Sequence, residues 1–317
     1  MHESLPTRAI RKARRTWAKY RFDRTAAGVL TTAPLSLRGD SPIFLSQLCH
    51  RDVAPYLLAI KSLYRGVGRG RVMIINDGSL TADDISLLAQ HIPGIESVDI
   101  ATIDTGSCPR GGTWERLVKI IELSQNHYVI QADADTLVSG PIPEVAECWR
   151  SNVSFLLGSD CGQEVAPAVV TARMAQGWVK NFGWDTIGVL SEALLDSLPP
   201  TAPSNYVHAS SGFGGFAKNG FRLADLEFFS DWMRAKLGEG WDKWCTEQIA
   251  SNYMIANAPR AIVLPYARYA SFEPHVPPGD RPFLHFIGTY RYGGGVYRQR
   301  ARQFLRNYKS NSPRGMT

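Results

Sequence analysis

The sequence is short of cysteine: Cys49, Cys108, Cys148, Cys161 and Cys245 are five in 317 residues, widely scattered and with no Cys-x-x-Cys. An odd, dispersed set argues against a disulfide framework or a zinc site and for a reducing compartment. Long apolar runs are also missing. None approaches the roughly 20 residues that cross a bilayer, and the basic N-terminus is not followed by the apolar core of a secretory signal. A cytoplasmic location is expected. Walker and Gly-x-Gly-x-x-Gly signatures do not occur at strand-to-helix positions. Arg65-Gly66-Val67-Gly68-Arg69-Gly70 precedes a strand and reads as a turn. A sugar nucleotidylyltransferase would carry a glycine-rich loop after its first strand, whereas Leu48-Cys49-His50-Arg51-Asp52 has no glycine. There is no internal repeat and no low-complexity tract.

What is present is an ordinary globular composition, 44% hydrophobic and 20% charged, with an uneven net charge of +6. Arg8, Arg11, Lys12, Arg14, Arg15, Lys19, Arg21 and Arg24 are opposed locally only by Asp23. Ile10, Ala13, Trp17 and Tyr20 recur at helical spacing within this stretch, which predicts a basic amphipathic helix. Such a helix suits an anionic membrane surface, or it packs on the domain with its charges solvated. Nucleic acid is not an expected partner, because no reading element accompanies the charge. A linker rich in Pro, Gly, Ser and Thr follows, so residues 1–41 read as a basic arm and linker and residues 42–317 as one domain.

Along that domain strands and helices alternate. Ile43 to Cys49 and Arg71 to Asn76 read as buried strands, with an apolar helix around Tyr56 to Leu63 between them. Thr81 with Asp84 resembles a capping box opening the next helix. A weak strand near Val98 to Ile100, a helix from Thr113 to Ser124 and a strand from Val153 to Leu157 continue the rhythm. This predicts parallel strands with right-handed crossovers.

The stretch around which the chain is organised is His127-Tyr128-Val129-Ile130-Gln131-Ala132-Asp133-Ala134-Asp135. A buried strand delivers two carboxylates two residues apart. If extended geometry continues to Asp135, both side chains leave the same side of the backbone. Hard oxygen ligands at a strand end suit a divalent cation that also grips phosphates; an Asx-turn is the other reading. Ligands collect at the carboxyl ends of parallel strands, and His50, Asp52 and Asp77 follow two other such ends.

The order of segments resembles the GT-A glycosyltransferases, most closely family 8, from about residue 43 to about residue 295. The first likeness is Pro55-Tyr56-Leu57-Leu58-Ala59-Ile60-Lys61-Ser62 between its two strands. Trp114-Glu115-Arg116-Leu117-Val118-Lys119 is similar to the helix that carries an arginine toward the donor. Asp133-Ala134-Asp135 is similar to the metal-binding Asp-x-Asp, and Ser210-Ser211-Gly212-Phe213 to the Asn-x-Gly segment beside the donor sugar. Glu247-Gln248 with Asn252 comes next, followed by His285-Phe286-Ile287-Gly288-Thr289-Tyr290-Arg291, which matches His-x-x-Gly-x-x-Lys with arginine for lysine. Ser211 stands where asparagine is usual, and Tyr292-Gly293 where Pro-Trp is.

The resemblance implies an α/β, Rossmann-like GT-A fold with a mostly parallel central sheet flanked by helices. It implies a metal-dependent retaining transferase that moves a sugar from a UDP-sugar to a glycan or glycolipid of the cell envelope. Asp133, Asp135 and His285 would hold Mn²⁺ or Mg²⁺, the imidazole favouring Mn²⁺. His50, Asp52, Arg116, Ser211, Gly212, Gly288 and Arg291 would bind the donor. Gln248, Glu247 and Asp160 would stand at the reacting sugar. Glutamine is a poor nucleophile, so a front-side path fits Gln248.

The other readings stay open. His285 can be a buried structural histidine, Arg116 and Arg291 solvated charges, and Asp52 a helix cap. Asp77 and Asp160 can be turn residues, and Glu247-Gln248 a polar helix surface. An inverting enzyme recruiting Asp225, Glu227 or Glu247 as base and a non-catalytic nucleotide-sugar-binding module are the alternatives. Residues 163–203, with Trp178 and Trp184, are either an acceptor pocket or core.

Overall fold

The computed structural model describes residues 5–310. Helix α1 (Leu5–Ala26) precedes β1 (Ile43–Leu48), α2 (Val53–Val67), β2 (Arg71–Asn76), α3 (Ala82–His91) and β3 (Glu96–Asp99). Then come α4 (Trp114–Ser124), β4 (Val129–Ala132), β5 (Thr136–Val138), α5 (Pro143–Arg150) and β6 (Ser154–Gly158). The next stretch holds β7 (Ala166–Pro167), α6 (Ala168–Phe182), α7 (Ile187–Ala193) and β8 (Asn205–Tyr206). The chain continues through β9 (Ala209–Phe216), α8 (Leu223–Leu237), α9 (Thr246–Ala256), β10 (Ala261–Val263), β11 (Tyr269–Ser271), β12 (Phe283–His285) and α10 (Val296–Ser310).

The central seven-stranded sheet has the order β10-β6-β9-β4-β1-β2-β3. All its pairings are parallel except those of β9, which runs antiparallel to both β4 and β6. The expected mostly parallel α/β sheet is therefore present. Side chains alternate across it: Phe44 and Leu48 enter one core with Leu57, Phe283 and Tyr297, and Ile43 and Leu45 the other with Trp114 and Ile249. Burial on both faces explains why these strands read as apolar runs.

One local prediction holds in detail: Thr81 and Asp84 form the capping box of α3. The turn expected over Arg65 to Gly70 begins later, since Arg65 to Val67 are the last residues of α2, which ends at Gly68 in the left-handed region with its N–H on the Tyr64 carbonyl. Strand β9 did not read as a strand, because Ala-Ser-Ser-Gly-Phe-Gly-Gly-Phe lacks β-branched residues. Close packing requires the glycines: a Cβ at Gly215 would lie 2.3 Å from the Phe155 ring.

The basic helix is present, but its apolar stripe is not what packs. Phe22 and Ala26 enter the core, with Phe22 stacked on Tyr297 at 4.0 Å between ring centroids. Ile10, Trp17 and Tyr20 stay exposed. The structure of Arg8's side chain lies outside what is described. No helix among the described residues is long and apolar enough to cross a membrane.

One buried cation ties the N-terminal segment to α2. Lys61 Nζ donates to Thr32 Oγ1 at 2.9 Å and to the Ala33 carbonyl at 2.7 Å, and lies 3.0 Å from His91 Nδ1. Burial pushes Lys61 down to about 8 from the ordinary 10.5. The unfolded chain thus binds a proton that the folded chain has released between these values, so folding is favoured as pH rises through this window. Compared with Lys61→Met in urea denaturation, the wild type should gain stability between about pH 8 and about pH 10.5. Parallel curves for the two proteins would contradict the burial argument.

Candidate functional site

The two aspartates lie in a turn, not on a continued strand. β4 ends at Ala132, and Asp133 N–H is held by the Gly212 carbonyl of β9 at 2.8 Å. Thr136 closes the turn with its N–H and hydroxyl on the Asp133 carbonyl, at 3.1 and 2.9 Å. The expectation of extended geometry through Asp135 is corrected: the turn, and not strand alternation, aims both carboxylates. The closing bonds go to the Asp133 main-chain carbonyl, so this is a main-chain turn and not an Asx-turn.

After the turn β5 pairs antiparallel with β12, with Thr136 opposite His285. That register carries the imidazole back over the turn. His285 Nε2 lies 3.2 Å from Asp135 Oδ1 and 3.5 Å from Asp133 Oδ2. One ligand atom from each of the three lies within 4.8 Å of the others. Gly212 makes room for the ring, since a Cβ there would fall 1.9 Å from His285 Cε1. Ser210, two residues earlier on β9, holds His285 Nδ1 at 3.2 Å.

Arginines flank the triad. Arg116, fully buried on α4, bonds Asp133 through Nη1 and reaches Glu247 of α9 at 3.4 Å. It is no solvated surface charge. Gly288, at φ 48°, turns the chain after β12 so that Arg291 reaches Asp135 at 2.5 Å and Asp52 at 3.2 Å. The result is an alternating line of charge: Asp52, Arg291, Asp135, His285, Asp133, Arg116, Glu247.

Burial alone would raise the Asp133 carboxyl, but the charge of Arg116 and the bond to His285 hold it well below the usual carboxylate range. Burial opposes the charge on His285, and Asp135 and Asp133 outweigh it, pushing the imidazole up to about 9. Glu247 is raised, chiefly by burial.

The remaining expected residues divide into two groups. Ser211 joins the site, its N–H on Gln248 Oε1 at 3.3 Å and its hydroxyl on Glu247 at 3.2 Å. Glu247 also takes the Thr113 hydroxyl at 2.9 Å, so its Oε2 is shared by Thr113, Arg116 and Ser211. Gln248 is half-buried on the exposed side of that network. His50 is not brought to the triad; its Nδ1 pairs with Asp84 at 2.7 Å, at the cap of α3. Asp77 makes the expected turn, accepting from Ser79. Asp160 is exposed in the bend after β6 and accepts the Cys161 N–H. Asp225 pairs with Arg222 at the surface, and Glu227 lies beside Gly106 and Ser107, so neither joins the cluster. The sequence marks Thr113 only as the start of a helix, and Ser210 only as part of the small-residue segment; a hydroxyl next to a glycine-rich stretch carries no signal of its own contacts.

No family model matches the chain, and no curated protein sequence does. Among solved structures it is similar to the bifunctional glycosyltransferase WbbM, with a TM-score of 0.51 and 15% identity over 89% of this chain and 51% of that one. The chain thus spans about half of that protein. The fold is that of the GT-A glycosyltransferases. The chain is also similar to mouse xyloside xylosyltransferase 1, with a TM-score of 0.47, 12% identity and coverage of 80% of this chain and 99% of that one. A mutant of LgtC gives 0.47 and 12% identity over 84% and 96% of the two chains. At such identities the GT-A likeness is one of fold.

The close fit of glycine and imidazole predicts that Gly212→Ala displaces His285 and lowers stability by about 1–3 kcal/mol, as overpacking does. Gly288→Ala meets open space and should cost only about 1 kcal/mol through its positive φ. Urea denaturation of the two variants checks this order.

Proposed function

We propose that this GT-A chain is a metal-dependent glycosyltransferase that takes a sugar from a UDP-sugar, with retention, and passes it to a glycan or glycolipid. The observation that carries the proposal is the convergence of Asp133, Asp135 and His285. Two carboxylates and one imidazole fit Mn²⁺ or Mg²⁺, with the nitrogen favouring Mn²⁺. Such an ion supplies Lewis-acid stabilisation of the charge that grows on a departing diphosphate.

The chain's own groups have separate tasks in this reading. Arg291 has the planar fork that pairs with phosphate oxygens, and it already spans Asp52 and Asp135. A diphosphate reaching the ion would compete for that fork. Arg116 keeps Asp133 ionised and in place. Glu247 is tied to Arg116, Thr113 and Ser211 and buried, which suits a holding group better than a far-face nucleophile. Gln248 offers an amide there instead, which supports the front-side retaining path. An inverting reading would need a free carboxylate base, and Glu247 is the sole rival that reaches the cluster.

The test is thermal stabilisation by UDP-glucose, UDP-galactose and UDP-xylose with and without Mn²⁺. Stabilisation should require ion and nucleotide together, with about 2.7 kcal/mol expected at a hundred times Kd. Asp135→Asn keeps the shape beside Arg291 and should weaken the response at least tenfold. A variant that responds like the wild type would remove the metal assignment.

Membrane association belongs to the same proposal, and the arginine face supports it. α1 and α10 enclose an open groove of about 660 Å³, lined by Arg21, Arg298, Arg302 and Arg306 and by no carboxylate. The neighbouring hollow adds Arg14 and Trp17. Lipid phosphates with aromatic insertion match this chemistry. In co-sedimentation the chain should bind phosphatidylglycerol vesicles and not phosphatidylcholine vesicles. Changing Arg298, Arg302 and Arg306 to Ala should lower binding by about two orders of magnitude, at roughly 1 kcal/mol per arginine. Equal binding to neutral vesicles would refute it.

A further inference from the structure

The excursion between β6 and β9 carries an aromatic surface that the charged cluster does not use. Phe182 and Trp184, at the end of α6 and just beyond it, are 65% and 51% exposed. Trp184 packs on Phe182 at 5.4 Å and on Trp178 at 5.7 Å between centroids. Trp178 meets His208 edge-on at 5.3 Å. Core packing therefore does not explain Trp184 or Phe182. The rings form a shelf whose outer face has no protein over it.

At the inner end of the shelf sits a built hydrogen-bonding pair. Glu192 of α7 is buried, and its oxygens lie 2.8 and 2.9 Å from His208 Nδ1. It also accepts the Tyr206 hydroxyl at 3.0 Å. A buried carboxylate is costly unless paired, and here it fixes one imidazole by one nitrogen. Nε2 remains free of that bond, and the side chain is 30% exposed. The Ser159 hydroxyl holds the His208 carbonyl at 2.7 Å, which brings the bend after β6, with the exposed Asp160, beside this residue.

The pair is also placed towards the metal-like triad. His208 immediately precedes β9, two residues before Ser210, and the β6–β9 register shifts between Ser210 and Gly214. Ser210 and Gly212 are the residues that touch His285. Helix α7, which supplies Glu192, packs against α9, which supplies Gln248.

We propose that Trp178, Phe182, Trp184 and His208, with Asp160, form the acceptor subsite and bind the terminal sugar of a carbohydrate chain. The rings take its apolar CH face, and His208 and Asp160 take hydroxyls, the mixture of flat apolar wall and few placed polar groups that sugar sites use. A purely apolar partner would leave the Glu192–His208 pair without purpose. The proposal rests on the transferase reading for the word acceptor, and on the shelf alone for carbohydrate.

The full chain, fluorescently labelled, is applied to an array of hexose and N-acetylhexosamine oligosaccharides. The wild type should retain a defined subset, and Trp184→Ala and Phe182→Ala should each lose at least tenfold in apparent affinity. Trp184→Tyr should recover most of it. Because both side chains are exposed, the melting temperature and the response to UDP with Mn²⁺ should stay at the wild-type level. No retained glycan, or full retention by Trp184→Ala, overturns the subsite. If Trp184→Ala loses glycans while no nucleotide stabilises any form, the carbohydrate site stands and the transferase reading falls.

Discussion

Carboxylates taken out of water must be neutralised, and that requirement shapes the centre of this molecule. Asp135 and Glu247 are buried and Asp133 is largely so, yet each has a cation against it. The compensation comes from remote parts of the chain: Arg116 from α4, His285 from β12 and Arg291 from the loop beyond it. Removing one partner would strand a buried charge, which costs several kcal/mol more than the pair itself contributes. The alternating line therefore ties together the loop after β1, the β4–β5 turn, α4, α9 and the C-terminal segment. It also brings one oxygen from each of Asp133 and Asp135 and one nitrogen of His285 within 4.8 Å of one another.

That convergence depends on two backbone positions with no side chain. Gly212 lets the imidazole lie against β9, where any Cβ would collide with the ring. Gly288 takes up a left-handed conformation and turns the chain so that Arg291 comes back over the turn. The antiparallel β9 is equally necessary. It separates β6 from β4 and lines the site with Ser210, Ser211 and Gly212, while its glycines admit Phe155 from the next strand.

The periphery divides by chemistry. The α1–α10 face gathers arginines without acids, and the α6–α7 excursion gathers aromatic rings beside a fixed imidazole. Both leave large rings exposed: Trp17 and Tyr20, with Arg21 and Arg24 over them, on one side, and the contacting pair Phe182 and Trp184 on the other. Their placement on different elements keeps an arginine-rich face apart from an aromatic shelf.

The alternation of strands and helices, the cap at Thr81 and the Asp133–Asp135 pair were legible in the residues, because each is a local pattern with a local physical cause. So was the His-x-x-Gly-x-x-Arg segment as a resemblance, although nothing local says that His285 meets an aspartate 150 positions earlier. His50 shows the limit: its place after a parallel strand suggested the site, but Asp84, equally local in three dimensions, claims it. The sequence by itself determined the strands and helices that carry a local apolar pattern, though not β9, and which residues carry ionisable or aromatic chemistry. Only the tertiary structure decided which of those groups share a charge, since register across β5 and β12 and the room left by Gly212 are properties of packed neighbours and not of any one segment.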